Sequence, residues 1–173
     1  MTTWRRLLAW DEAMLLKVVR AQRPFTVRAL RSITSLGDAK VWVFVGLVLA
    51  AIGTAETRLL ALRLAGAAGL AALVAQVIKR LSRRRRPNAG IAGFEAFVAN
   101  PDAFSFPSGH TAAAVATALA WAGEGSFLGA LAASFAALVA FSRVALGAHY
   151  PLDVAVGALL GLLCGSVVRL GLG

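Results

Sequence analysis

The chain contains two histidines, His110 and His149, and both lie among polar residues that interrupt an otherwise apolar sequence. Three stretches gather them with their neighbours: Lys79-x6-Arg86-Pro87, Pro107-Ser108-Gly109-His110, and Ser142-Arg143-x5-His149-x3-Asp153. Lys79, Arg86 and Arg143 are cationic donors. A guanidinium meets phosphate oxygens bidentately, so together they can neutralise a phosphoryl dianion. Ser108 and Gly109 fall at the expected start of a helix, where open N–H groups and the helix dipole favour an anion and glycine permits close approach. Pro107 suits the first turn. His149 precedes Asp153 by four residues, with Pro151 opening a helix between them, so the carboxylate can turn back to the imidazole, fix its tautomer and support positive charge. That is the setting of a nucleophile. His110 then serves as the acid for the leaving oxygen and the base for an incoming water. One imidazole must start neutral and the other protonated, which predicts a bell-shaped pH dependence. Ser142 carries less weight, because its hydroxyl can simply bond a helix carbonyl.

Such a constellation has to be held by apolar elements. Of 173 residues, 59% are hydrophobic and 15% charged, and the mean hydropathy is +0.75, against about 25% charged in soluble domains. A water-soluble globule is excluded. Five apolar runs approach the length of about 20 residues that crosses a bilayer as a helix: residues 39–55, 59–78, 107–123, 126–145 and 151–170. Glu56, Thr57 and Arg58 alone separate the first two, and Gly123, Glu124 and Gly125 lie between the third and fourth, so each pair must be an antiparallel hairpin. In the fifth, Gly157, Gly161 and Gly165 repeat every fourth position, a spacing that admits a neighbouring backbone. Packing inside the bundle is favoured, with a dimer face as the alternative.

Residues 1–38 differ. Leu7, Trp10, Met14 and Val18 are interleaved with Arg5, Arg6, Glu12, Lys17 and Arg20, which predicts an amphipathic helix in the membrane interface. Arg23-Pro24 should break it before a second short helix over residues 25–33. Asp11, Glu12 and Lys17 leave no apolar core of about 7–15 residues for a secretory signal, so this segment is expected to be retained. The expected fold is all-α: an integral membrane bundle of about five transmembrane helices over residues 39–173, plus the interfacial segment 1–38, in one domain. The single cysteine, Cys164, supports neither a disulfide framework nor a thiolate metal cluster. Trp4, Trp10, Trp42 and Trp121 are expected as interface anchors or packing residues.

Two tight hairpins return the chain to its starting side. The end of run two, the start of run three, the end of run four and the start of run five therefore share one membrane face, and the three polar stretches sit at those four places. A protein that collects both histidines and several cations at one rim is presenting a site. The stretches resemble, at every fixed position quoted, the three-part signature of the phosphatidic acid phosphatase type 2 superfamily, over residues 79–153. The apolar flanks look like its membrane branch. The resemblance implies a metal-independent and cofactor-free phosphohydrolase working through a phosphohistidine at His149, with Asp153 supporting it and His110 as acid/base. Lys79, Arg86, Ser108, Gly109 and Arg143 would hold the phosphate. Many membrane members have six spans; five plus an interfacial segment is like the short bacterial ones.

Other readings fare less well. A transporter should bind its substrate near the membrane midplane on broken helices, not at a rim. A nucleic-acid partner would account for the net charge of +10 but for neither the apolar runs nor the paired histidines. Metal ligation lacks a third ligand at a recognisable spacing, although Asp102 could join. Arg83, Arg84 and Arg85 fit topology or headgroup contacts as well as substrate, and are left outside the site. Asp38, Glu95 and Asp102 have no assigned part. The expected partners are membrane lipids and a lipid phosphate substrate. An isoprenoid phosphate or diphosphate ranks first, since short bacterial members resemble polyprenyl diphosphate phosphatases; phosphatidic acid or phosphatidylglycerophosphate is the alternative. Monomer and homodimer are both compatible. Every Lys and Arg except Arg58, Arg63 and Arg169 falls on the site face, so the positive-inside rule turns that face of a cell-membrane protein toward the cytoplasm; an outward-facing site is the alternative.

Overall fold

The computed structural model describes residues 3–100, 102–121 and 127–172. Among them the chain forms eight helices in the order α1 (Thr3–Arg20), α2 (Pro24–Leu36), α3 (Ala39–Ile52), α4 (Ala55–Ser82), α5 (Pro87–Gly90), α6 (Gly109–Trp121), α7 (Phe127–Ala145) and α8 (Pro151–Gly171). The N-terminal break falls where Arg23-Pro24 predicts it, with Pro24 in the first turn of α2. Asp38 caps α3 by accepting the Lys40 N–H at 2.9 Å.

The five apolar runs become α3, α4, α6, α7 and α8. Residues 57–82 of α4, α7 and α8 are each long and apolar enough to cross a membrane, and α2 with α3 qualifies as a pair bent by 48°. α3 has 14 residues, which at 1.5 Å per residue reach about 20 Å of a roughly 30 Å hydrocarbon core. α3 is shorter than its apolar run because it is bounded by the Asp38 cap and by Gly53, and α6 starts only at Gly109, after a polar loop. The end of the third run and the turn at Gly123, Glu124 and Gly125 lie outside the described residues.

α6 is the hub, packing on α4, α7 and α8. Its small residues permit this: Ala112, Ala113, Ala114 and Ala116 are buried, and a core forms with Leu64, Ala67, Ala71 and Cys164. The α8 glycines face α6 and not a second copy. A Cβ at Gly157 would come 2.6 Å from the Ser108 carbonyl oxygen, one at Gly161 2.5 Å from that of Ala112, and one at Gly165 2.9 Å from that of Ala116. Both series advance by four residues in the same direction, so α6 and α8 run parallel. Their N-terminal ends therefore lie together, beside the C-terminal ends of α4 and α7.

α1 and α2 cover this end. Leu15 and Val19 of α1 pack with Val144 and Tyr150, and Val27 and Leu30 of α2 pack with Ala145 and Leu146. Trp4, Leu7 and Trp10 of α1 are left exposed, an aromatic and apolar face suited to the headgroup region. Trp42 packs edge-on against Phe135, and Trp121 lies against the α4–α6 core.

Candidate active site

α4 ends when Arg83 takes a left-handed conformation (φ 49°) and its N–H returns to the Lys79 carbonyl at 3.0 Å. The chain then runs extended into Pro87, as the residue before a proline favours. The Ser105 N–H donates to the Arg84 carbonyl at 2.9 Å, and Arg85 bridges Phe104. Side chains alternate in extended backbone, so Arg84 and Arg86 point inward while Arg83 and Arg85 are exposed. This separates the four consecutive arginines into two pairs.

Lys79, Arg86, Ser108, Arg143, His149 and Asp153 are all buried. His149 sits in the short segment between α7 and α8, where its own N–H and that of Ala148 both donate to the Arg143 carbonyl. Its Nε2 is 3.2 Å from Arg86 Nη1, and its Nδ1 is 3.6 Å from Asp153 Oδ2. A guanidinium can only donate, so Nε2 accepts and the ring proton belongs on Nδ1, facing the carboxylate. Burial pushes the His149 imidazole well below its ordinary pKa, and the charges of Arg143, Arg86 and Lys79 act in the same direction. The ring is therefore neutral, with the Nε2 lone pair beside a cation.

Asp153 is held from several sides. Its Oδ2 accepts the Tyr150 N–H at 3.0 Å and its Oδ1 accepts from Arg84 at 2.7 Å. Arg143 donates to Thr34 Oγ1 and to Asn100 Oδ1, each at 2.8 Å, and its Nε is buried without a partner among the described residues. α2 and the loop before α6 thus aim Arg143. His110 Nε2 lies 3.8 Å from Asp38 Oδ2, at the cap of α3. Gly109 is close to Lys79: a Cβ there would be 3.9 Å from Nζ.

One expectation needs correction. The Ser108 N–H is not an open anion donor, because it donates to the Asp153 carbonyl at 2.9 Å, and its hydroxyl shares a 2.9 Å bond with Thr111. The parallel approach of α8 consumes it, which leaves the N–H groups of Gly109 and His110 as the open pair among the described residues. Ser142 donates to the Val139 carbonyl at 2.6 Å, the structural use its position allowed.

Sequence reasoning also missed three residues. Asp102 bridges the cradle, accepting from Lys79 Nζ at 2.6 Å and from Arg86 Nη2. Its burial alone would raise its pKa, but the bonds from Lys79 and Arg86 hold it below the usual carboxylate value. Arg84 bridges Asp11 and Asp153 through long-range contacts that no spacing reveals. The inward alternation of Arg84 with Arg86 was the one signal available. A groove of about 260 Å³ leads from Lys79, Asp102 and His110 along Ala39, Ala72 and Ala75 of α3 and α4. A cavity of about 740 Å³ with mixed polar and apolar walls opens from Arg86 and Asp102 toward Asn88 of α5 and the loop carrying Asn100.

A neutral imidazole backed by a carboxylate, a second imidazole and three cations form a site equipped for phosphoryl transfer from an ester oxygen. The chain belongs to the PAP2 superfamily, whose family model matches residues 60–172. It is a phosphoric monoester hydrolase and a multi-pass membrane protein. It is 34% identical over 146 residues to the decaprenylphosphoryl-5-phosphoribose phosphatase of Mycobacterium tuberculosis, a match covering 84% of this chain and 80% of the relative. Its structure resembles that of Aquifex aeolicus LpxE, with TM-score 0.74 and 27% identity over 91% of this chain and 93% of the other. It also resembles a PAP2-type phosphatidylglycerolphosphate phosphatase of Bacillus subtilis, with TM-score 0.78 and 27% identity over 95% of this chain and 85% of that one.

Proposed function

We propose that this protein removes a terminal phosphate from an isoprenoid lipid phosphate or diphosphate by way of a phosphohistidine at His149. The observation that carries the proposal is the disposition of the His149 ring, with Nδ1 toward Asp153 and the Nε2 lone pair held by Arg86 Nη1, a donor that passes to a phosphoryl oxygen when the substrate binds and so leaves Nε2 aimed at phosphorus. The Nε2 lone pair forms the N–P bond as the bond from phosphorus to the leaving oxygen breaks. His110 transfers a proton to that oxygen. It then takes a proton from water as the water attacks phosphorus and the N–P bond breaks, which releases inorganic phosphate and restores both imidazoles. Lys79, Arg86 and Arg143 balance the charge on the phosphoryl oxygens, with the open N–H groups of Gly109 and His110 adding neutral donors. Asp153 supports the positive charge that appears on the ring.

The groove between α3 and α4 begins at His110, the group assigned to the leaving oxygen, and although Asp38, Lys40 and Gln76 share its walls, Ala39, Ala72 and Ala75 give it an apolar side on which the lipid can lie. The substrate named for the Mycobacterium tuberculosis relative favours an isoprenoid chain. The likeness to the Bacillus subtilis enzyme favours a glycerolipid phosphate as the second reading. The charge distribution supports a cytoplasmic site face.

Phosphate release by purified protein in detergent, with chelator present, distinguishes these substrates. Prenyl-linked phosphoribose, prenyl monophosphate and diphosphate, phosphatidic acid and phosphatidylglycerophosphate are compared by kcat/KM. The isoprenoid esters should lead. A preference for phosphatidylglycerophosphate would replace the first reading with the second.

A further inference from the structure

Asp11 of α1 lies outside the residues matched by the family model, yet it is fully buried next to the site. Its Oδ2 accepts from Arg84 Nη2 at 2.6 Å, and Arg84 Nη1 donates to Asp153 Oδ1 at 2.7 Å. The same guanidinium stacks 4.2 Å from the centre of the Tyr150 ring. The other Asp11 oxygen accepts the Leu152 N–H at 2.8 Å. Leu152 is the second residue of α8 and Asp153 the third, so a side chain from a distant helix closes the first turn of the helix that carries the supporting carboxylate.

The arrangement also balances charge. Two carboxylates share one guanidinium, so the trio carries one net negative charge. With Arg84 alone, Asp153 would be largely neutralised, and the positive charge arising on the attacking imidazole would lose its counter-charge. With neither Arg84 nor Asp11, Asp153 would be buried with only the Tyr150 N–H and the Ser105 hydroxyl to hold it. Asp11 draws half of the guanidinium away and leaves Asp153 Oδ2 negative toward His149. We infer that Asp11 and Arg84 are positioning residues for the phosphatase reaction, acting on His149 through Asp153, and that α1 is therefore part of the working enzyme. The inference rests on His149 being the nucleophile.

The test measures the rate of phosphoenzyme formation by rapid quench, together with KM and the inhibition constant of inorganic phosphate. Wild type, His149→Ala, Asp11→Asn, Arg84→Met and the double variant Asp11→Asn/Arg84→Met are compared in detergent. Asp11→Asn keeps an oxygen for the Leu152 N–H, and removes the charge together with the acceptor of the Arg84 bond, which an amide NH2 cannot replace. It should slow phosphoenzyme formation about tenfold while KM and phosphate inhibition change by less than about twofold. Arg84→Met leaves two buried carboxylates facing each other and should be slower still. Adding Asp11→Asn to it should raise the rate again, by about tenfold, because the repulsion is gone. A rate for Asp11→Asn within about twofold of wild type, or a double variant no faster than Arg84→Met, would overturn the inference. If Arg84→Met does not fold, the single Asp11→Asn rate with its unchanged KM decides the matter. Phosphoenzyme in His149→Ala would instead overturn the nucleophile assignment, independently of Asp11 and Arg84.

Discussion

Asp102 occupies the cations that a substrate phosphate would need, which makes Asp102→Asn an informative perturbation. The carboxylate bonds Lys79 at 2.6 Å and also Arg86, while the Asp102 backbone carbonyl separately accepts from Arg86 Nε at 2.8 Å. Substitution by asparagine keeps the backbone bond and the shape, and removes the charge that competes with phosphate. Hydrogen bonds to charged groups are worth about 1.5–3 kcal/mol each, but the side chain is 26% exposed, so solvent screening reduces the effect. A net change of about 1.4 kcal/mol corresponds to roughly tenfold in binding. Inorganic phosphate should therefore inhibit Asp102→Asn at about one-tenth of the concentration needed for wild type. Because Lys79 and Arg86 hold Asp102 ionised well into acid, the ratio of the two inhibition constants should stay constant between about pH 5 and pH 8. Equal or weaker inhibition of the variant would refute the reasoning, and would mean that the carboxylate organises the cations for substrate instead of competing with it.

Three further outcomes follow from the same geometry. His149 is buried and neutral with a lowered pKa, whereas in the unfolded chain it takes a proton near its ordinary value of about 6.5. The unfolded state then binds more protons below that pH, so the melting temperature in detergent should fall as pH drops from about 6.5, and His149→Gln should flatten the fall. Gly161→Leu should destabilise the bundle by about 1–3 kcal/mol, seen as a lower melting temperature, because a side chain there meets the Ala112 carbonyl oxygen and Val115. Asn100→Ala removes one of the two side-chain partners that aim Arg143; KM should rise about threefold to tenfold with a smaller change in kcat.

The site was legible to the extent that its residues repeat at fixed local spacings. The i, i+4 spacing of His149 and Asp153, with Pro151 starting a helix between them, defines a geometry that the chain adopts, since the distance is set within one helical turn. Hairpin parity likewise placed Lys79, Arg86, His110, Arg143 and His149 at one end of the bundle. Arg84, Asp11 and Asp102 were not legible, because each works through a partner far away in the chain and a charged residue in a basic or polar run looks solvated until its partner is known. Ser108 shows the opposite error. Its position at a helix start promised an open N–H, but the approach of α8, permitted by Gly157, gave that N–H to Asp153. The length of α3 was overestimated for a related reason: apolar composition extends past the caps and turns that end a helix.

The most direct measurement is the chemical trapping of the covalent intermediate. Protein mixed with a lipid phosphate labelled in the terminal phosphate and quenched in alkali within one turnover should carry label on the tryptic peptide containing His149. That label should be stable to base, labile to acid and absent from His149→Ala. Label on another residue, or turnover at the full rate with no labelled protein at any quench time, would contradict the assignment of the His149 imidazole as the group that attacks phosphorus.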